Sequence, residues 1–214
     1  MRTRIKICGI TCAEDARAAA QAGCDAIGLV FYDRSPRAID AARALTVARA
    51  VPPFVTRVGL FMDADAEQVR QVMAHVPLDV LQFHGSEPPD YCESFGCTYL
   101  KAVPMAGPET PDAFMGRYVG AQGFLLDSHG AGQAGGTGQA FDWGRWPTGT
   151  QRSLVLAGGL HPDNVAEAVR QTRPWAVDVS SGVESSPGVK DARRMIRFIS
   201  EVRRVDREQT PTDA

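Results

Sequence analysis

The chain has 214 residues, with 23 Lys and Arg against 25 Asp and Glu for a net charge of −2, and 44% of its residues are hydrophobic. That length suits one α/β domain whose core needs no disulfide or metal to close, and the balanced charge excludes the strong basic field that nucleic acid or an anionic membrane demands. No stretch approaches the roughly 18 uninterrupted apolar residues of a membrane-spanning helix, and five cysteines, an odd number with no repeating framework, favour reduced thiols in a cytoplasm-like compartment.

Along the chain, short runs rich in Val, Ile, Leu and Phe alternate with helical periodicity, and no linker divides them. Arg4–Cys8 reads as a first strand. A helix follows, opened by a capping box in which Thr11 and Glu14 satisfy each other's amides, with Ala13, Ala16 and Ala20 on its packing face. Then come strand Ala26–Val30, helix Ala41–Arg49, strand Phe54–Phe61, helix Ala66–Ala74, strand Val80–Phe83 and helix Pro89–Phe95. The second half continues with strand Tyr99–Pro104, helix Asp112–Tyr118 and strand Gly123–Asp127. After Asp127 stands a glycine-rich stretch, Gly130 to Gly138, with only a short helix near Asp142–Arg145 behind it. The last elements are strand Leu154–Ala157, helix Pro162–Gln171 with its proline in the first turn, strand Trp175–Val179 and helix Asp191–Arg204. In that final helix Met195, Phe198, Ile199 and Val202 recur at core spacing.

Eight strands of similar length alternating with helices, and no dinucleotide fingerprint after the first, point to a (β/α)8 barrel rather than a doubly wound sheet. The expected organisation is a single α/β domain, a TIM barrel over residues 1–205 with a long glycine-rich sixth βα loop, and a polar tail over residues 206–214 that frays.

In such a barrel the chemistry belongs at the carboxyl ends of the strands. Gly158-Gly159 ends the seventh strand and Ser180-Ser181-Gly182 the eighth, the sector where this architecture seats phosphate groups, while Gly135-Gly136-Thr137-Gly138 could close from the sixth loop. A glycine pair alone is an ordinary turn; two at adjacent strand ends beside a third glycine-rich loop imply a phosphosugar ligand. Cys8 ends the first strand and Asp127 the sixth, so a thiol and a carboxyl group would face each other over the mouth, suited to taking a proton from one substrate atom and delivering one to another. Their bland alternatives are a small buried hydrophobe for Cys8, and for Asp127 a loop cap or an ion pair with Lys101 or Arg57. The Cys8/Cys12 and Cys92/Cys97 spacings lack neighbouring ligands, so no metal site is expected.

At these residues the chain resembles the phosphoribosylanthranilate isomerase family. The resemblance runs from Arg4 to about Val202 through Lys6-Ile-Cys-Gly-Ile-Thr11, Gly28-Leu-Val-Phe31, Ser35-Pro-Arg-Ala-Ile39, Val58-Gly-Leu-Phe61 and Leu81-Gln-Phe-His-Gly85. It continues with Leu125-Leu-Asp127, Gly135-Gly-Thr-Gly138, Phe141-Asp-Trp143, Leu156-Ala-Gly-Gly-Leu160 and Ala176-Val-Asp-Val-Ser-Ser-Gly-Val-Glu184. The resemblance implies a step of tryptophan biosynthesis, the Amadori rearrangement of N-(5'-phosphoribosyl)anthranilate to 1-(2-carboxyphenylamino)-1-deoxyribulose 5-phosphate, with neither cofactor nor metal. It implies Cys8 as general base at sugar C2, Asp127 as general acid at the ring oxygen, and Arg37 on the anthranilate side. Phosphate contacts would come from Gly136, Gly158, Gly159, Ser180, Ser181 and Gly182, with Asp178 also at the substrate. Phe83 stands where leucine is common and Ala38 where an aromatic residue often follows the arginine; His84 is expected to shape the end of the fourth strand rather than catalyse.

Three other functions compete. An isomerase of the histidine-pathway aminoaldose would carry an aspartate at Cys8 and seat a second phosphate in the first half of the barrel. A Schiff-base aldolase would need a strand lysine with a depressed pKa, for which Lys6 and Lys101 are the candidates. A phosphosugar-binding barrel without catalysis would keep the glycines but have no use for Cys8 and Asp127 together.

Overall fold

The computed structural model describes residues 2–106, 108–128 and 142–209. In it eight parallel strands close into one barrel in chain order: β1 (Arg4–Cys8), β2 (Ala26–Val30), β3 (Thr56–Phe61), β4 (Val80–Phe83), β5 (Tyr99–Pro104), β6 (Gly123–Asp127), β7 (Leu154–Leu156) and β8 (Ala176–Val179). Helices α1 (Ala13–Ala22), α2 (Ala41–Arg49), α3 (Ala66–His75), α4 (Pro89–Glu93) and α5 (Pro111–Gly116) follow the first five strands. Behind β6 the described residues hold a 3-10 turn, Trp143–Arg145, close to the short helix that the sequence implies. α6 (Val165–Thr172) and α7 (Ala192–Gln209) follow β7 and β8, and a small antiparallel pair, β9 (Glu184–Ser186) and β10 (Val189–Lys190), lies between β8 and α7.

Strand alternation sorts the side chains. Ile5, Ile7, Ile27, Leu29, Phe61, Leu81, Phe83, Phe124, Leu126, Leu156, Val177 and Val179 share one buried cluster with the inner faces of the helices. Phe31 stacks on Phe61 at 5.1 Å within that layer. The opposite faces point into the barrel, where Ala102, Leu125, Val155, Ala157 and Ala176 form a separate, smaller cluster. By the same alternation Lys6 and Cys8 of β1, Gln82 of β4, Asp127 of β6 and Asp178 of β8 project inward, with His84 and Ser180 next to the ends of β4 and β8.

Asp40 and Asp65 cap α2 and α3, accepting from Arg43 N and Gln68 N at 2.7 Å each. The capping box expected at Thr11 does not form: Cys12 occupies the cap position, and the Thr11 hydroxyl donates instead to Gly188 O at 2.8 Å, because the β9–β10 hairpin lies over this turn. Phe54 falls outside β3; its backbone is left-handed at φ 71° and its side chain is exposed, incompatible with a strand. Pro162 precedes α6 rather than opening it, since the Asn164 side chain accepts from His161 N and donates to Gly159 O, holding this stretch as a turn.

The final helix passes the expected domain end at residue 205. Asp206 accepts from Thr3 N at 2.8 Å and from Thr3 Oγ1 at 2.7 Å, tying the helix to the start of β1, and helix persists to Gln209. Residues 210–214 of the expected frayed tail lie outside the described residues.

Lys101 lies fully buried on the outer side of β5, donating to Glu87 Oε2 at 3.0 Å and to Gly85 O at 2.6 Å. Glu87 also accepts from Asp63 N and Gly85 N, so the pair organises the loops after β3 and β4. Glu87→Ala leaves that ammonium without its carboxylate, and urea unfolding should show a loss of about 3–5 kcal/mol; a loss under about 1 kcal/mol would refute the assignment. Asp25 supplies a second check. Burial pushes its carboxyl up, but hydrogen bonds from Arg2 and Ile5 N hold it below its ordinary value. Its stabilisation is therefore complete above roughly pH 4 and lost as pH falls through the lower folded value. Asp25→Asn should be less stable at neutrality and lose less stability than the parent on acidification below about pH 4, measured by urea titration across that range.

Candidate active site

The open end of the barrel gathers polar groups that the strands deliver from separate directions. Cys8 closes β1 and is buried. Its neighbour Gly9 takes φ 75°, and a Cβ there would meet Arg37 Cδ at 2.4 Å and Ser180 Oγ at 3.1 Å. Glycine suits this position because its backbone is left-handed and Arg37 crosses directly above it. Burial raises the Cys8 thiol above its ordinary value, while the charge of Lys6 opposes that rise.

Asp127 closes β6, three strands from β1 around the barrel, and is likewise buried. Neither of its expected basic partners reaches it. Lys101 projects from the outer side of β5 to Glu87, and Arg57 forks onto Asp79 at 2.7 and 2.8 Å. Instead His84 Nε2 approaches Asp127 Oδ2 at 3.5 Å, and Ser128 Oγ donates to Asp127 Oδ1 at 3.3 Å. His84 so belongs to the surroundings of the carboxyl group as well as to the end of β4, and Gln82 holds its other ring nitrogen at 3.2 Å.

Between these two walls lies the sector after β7 and β8. Gly158 and Gly159 are both left-handed, at φ 82° and 64°. A Cβ on Gly158 would lie 2.7 Å from Ser128 N and 2.9 Å from Asp127 Oδ1, and one on Gly182 only 1.9 Å from Leu160 O. The two loops therefore approach each other backbone to backbone, a concave arrangement suited to an anion. Ser180 Oγ donates to Cys8 O at 3.0 Å, locking the end of β8 to the end of β1. Gly136 lies outside the described residues.

Arg37 is buried and forks onto Glu184, with Nε and Nη2 each 2.8 Å from a carboxylate oxygen. Glu184 takes two of the five guanidinium donors. Lys190 Nζ donates to the same carboxylate at 2.7 Å and to Ser180 O at 3.2 Å. Burial pushes Glu184 up, but Arg37 and Lys190 hold it below the ordinary carboxylate value; burial lowers Lys190, with Glu184 opposing. Asp178 sits one residue pair deeper than Ser180, opposite Lys6 in the β1–β8 register, and accepts from Lys6 Nζ at 3.0 Å. Glu184 and Lys190 carry no role in the sequence reading. Glu184 ends the last quoted motif, which was its only signal; Lys190 reaches the site through the β9–β10 hairpin, which no local pattern announces.

The same geometry weighs on the competing functions. Burial pulls the Lys6 ammonium down, but Asp178 and Cys8 more than offset it and raise its pKa to about 12, the opposite of what a Schiff-base lysine needs. Lys101 faces the helices. In the first half of the barrel, Ser86 N donates to Asp63, and Gly85 N and Asp63 N donate to Glu87. Amides that a second phosphate would need are already engaged by the chain's own carboxylates.

Known proteins resemble the chain over nearly its whole length. The family model described as N-(5'phosphoribosyl)anthranilate (PRA) isomerase matches residues 5–201. The N-(5'-phosphoribosyl)anthranilate isomerase of Halorhodospira halophila is 53% identical over 206 residues, covering 96% of this chain and 99% of its own. That of Acidithiobacillus ferrooxidans is 56% identical over 200 residues, covering 94% and 97%. Among solved structures, phosphoribosyl anthranilate isomerase from Thermus thermophilus superposes with a TM-score of 0.85 at 38% identity, covering 95% of this chain and 100% of that one. A phosphoribosyl anthranilate isomerase in complex with reduced 1-(o-carboxyphenylamino)-1-deoxyribulose 5-phosphate superposes with a TM-score of 0.77 at 37% identity, covering 94% and 98%. A closed barrel with a thiol, a carboxyl group and paired glycine turns at one mouth, matched over nearly its whole length by these proteins, places the chain in the N-(5'-phosphoribosyl)anthranilate isomerase family.

Proposed function

We propose that this mouth rearranges N-(5'-phosphoribosyl)anthranilate to 1-(2-carboxyphenylamino)-1-deoxyribulose 5-phosphate, with Cys8 and Asp127 as its acid–base pair. One observation carries the reading: both groups project inward at strand ends on separate walls of the barrel, with the close-packed turns of Gly158 and Gly182 between them. The phosphate is held by backbone amides of the loops after β7 and β8, with Gly159, Ser180 and Ser181 beside those two glycines and Gly136 from the sixth loop. With that end anchored, the pentose lies across the mouth.

Asp127 protonates the furanose ring oxygen; the C1–O bond breaks and the nitrogen lone pair forms a C=N bond to C1. Cys8 as thiolate removes the proton from C2, and the electron pair moves to give an enolamine, returning the nitrogen to neutrality. The Cys8 thiol returns a proton to C1 while the enol hydroxyl proton leaves to the Asp127 carboxylate, which makes C2 the ketone and resets both groups, so C1 is reduced as C2 is oxidised and no external electron carrier enters. Arg37 holds the anthranilate carboxylate with the donors Glu184 leaves it, and Glu184 with Lys190 keeps the guanidinium plane oriented. Asp178 acts beneath the substrate through Lys6. A cytoplasmic location belongs to the same reading, supported by five cysteines that are all free.

Cys8→Ala and Asp127→Asn should each lower kcat by at least about 100-fold with KM within a few-fold of the parent, because each removes a proton-transfer group and leaves the anion seat intact. Loss of substrate fluorescence with purified variants measures this, and near-parental turnover in either removes that residue from the mechanism. Inorganic phosphate should raise KM without lowering kcat, because it occupies the seat of the substrate's phosphate group; inhibition that excess substrate does not relieve would place the anion elsewhere.

A further inference from the structure

The interior of β1 carries a buried charge that the acid–base pair does not use. Lys6 projects inward two residues below Cys8, and its Nζ donates to Asp178 Oδ1 at 3.0 Å across the β1–β8 register. The thiol and the ammonium converge on the same spot of the neighbouring strand. A Cβ on Gly28 would stand 2.7 Å from Cys8 Sγ and 3.1 Å from Lys6 Nζ. Gly28 is the register partner of Cys8 on β2, so the missing side chain there is what leaves room for both groups.

We infer that Lys6 is a positioning residue for the base: its ammonium, held by Asp178 in the cleft over Gly28, steadies the Cys8 thiolate each time that thiolate forms. This rests on the reading of Cys8 as the base. A thiolate inside a barrel loses its hydration and needs a compensating charge at close range. Among the described residues the charged groups that face it are few and mostly spoken for. Arg37 and Lys190 share Glu184, Asp127 stands on the far wall beside His84, and Asp178 carries the same sign as the thiolate. Lys6 is the cation that meets the thiol over Gly28, with Asp178 behind it keeping it protonated. The influence of Lys6 on the thiol exceeds the opposing influence of Asp178 and that of Lys190, and Cys8 in turn helps to raise Lys6. The unit is a carboxylate, an ammonium and a thiol in series, in which the carboxylate holds the lysine while its own charge opposes the thiolate less strongly than the lysine favours it.

The test is the pH dependence of Cys8 alkylation by iodoacetamide, resolved from the other four cysteines by peptide mass spectrometry, together with the pH profile of kcat. In Lys6→Met the alkylation midpoint should move up by at least about one pH unit. Turnover at neutrality should fall at least about tenfold with KM little changed, and the loss should shrink as pH rises, since alkali ionises the thiol that the lysine no longer assists. Should Asp178 left unpaired prevent that variant from folding, Lys6→Met/Asp178→Asn removes both charges and should shift the midpoint in the same direction by a smaller amount. An unmoved or lowered midpoint in the folded variant overturns the proposal, whatever happens to turnover, because a merely structural lysine would cost activity equally at every pH. The base assignment fails separately: parental turnover in Cys8→Ala would sink that reading while leaving the alkylation result to stand on its own.

Discussion

Everything at the open end depends on the parity of strand residues in a closed parallel barrel. Hydrogen bonding to two neighbours fixes each strand's register, and alternation then assigns every side chain to the helix layer or to the interior. On β1 the outward residues are Ile5 and Ile7, buried against the helices, and the inward ones are Lys6 and Cys8. A slip of one residue would put isoleucines over the substrate and strand a lysine among the apolar side chains of the surrounding layer. The apolar side chains that close the barrel thus also aim its chemistry, although none of them touches a reacting atom.

Parity also decides what a buried lysine does. Lys6 and Lys101 both lie in strands, both are buried, and both meet a carboxylate at 3.0 Å. Lys6 faces inward, where its charge reaches the Cys8 thiol. Lys101 faces outward, where its charge organises the turns after β3 and β4 and rests near the Tyr118 ring at 5.6 Å. Removing such charges from water is costly, and each is kept only because a carboxylate of opposite sign is supplied, by β8 for Lys6 and by the turn after β4 for Lys101. Those pairs fix the loops that bear functional groups: Asp178 holds Lys6, Glu87 holds the turn that follows His84, and Glu184 holds Arg37 and Lys190 together.

Three of the four expectations that departed from the structure share one physical cause. The capping box at Thr11, the helix start at Pro162, the strand start at Phe54 and the frayed end after residue 205 were all inferred from neighbouring residues. In each case except Phe54, a side chain found another partner: Thr11 on Gly188, Asn164 on Gly159 and His161, Asp206 on Thr3. The Thr11 and Asp206 bonds cross most of the chain, which no local pattern encodes, whereas Asn164 bonds to nearby residues and overrides the helix-opening preference of Pro162. At Phe54 the apolar run continued past the point where the backbone could remain extended.

The amino-acid sequence by itself determined the alternation of strands and helices, the barrel class, the weak sixth unit, and the strand-end positions of Cys8, Asp127, Gly158, Gly159 and Ser180. These follow from periodicity and from motifs confined to a few adjacent residues, where local physics is decisive. Only the tertiary structure decided that Glu184 clamps Arg37, that Lys190 joins them, that His84 stands by Asp127, and that Lys6 and Cys8 share the space over Gly28. The contacts across the seam require the ring of strands to be closed, because closure brings β8 back against β1 and delivers Asp178 to Lys6 and Glu184 to Arg37 from far along the chain.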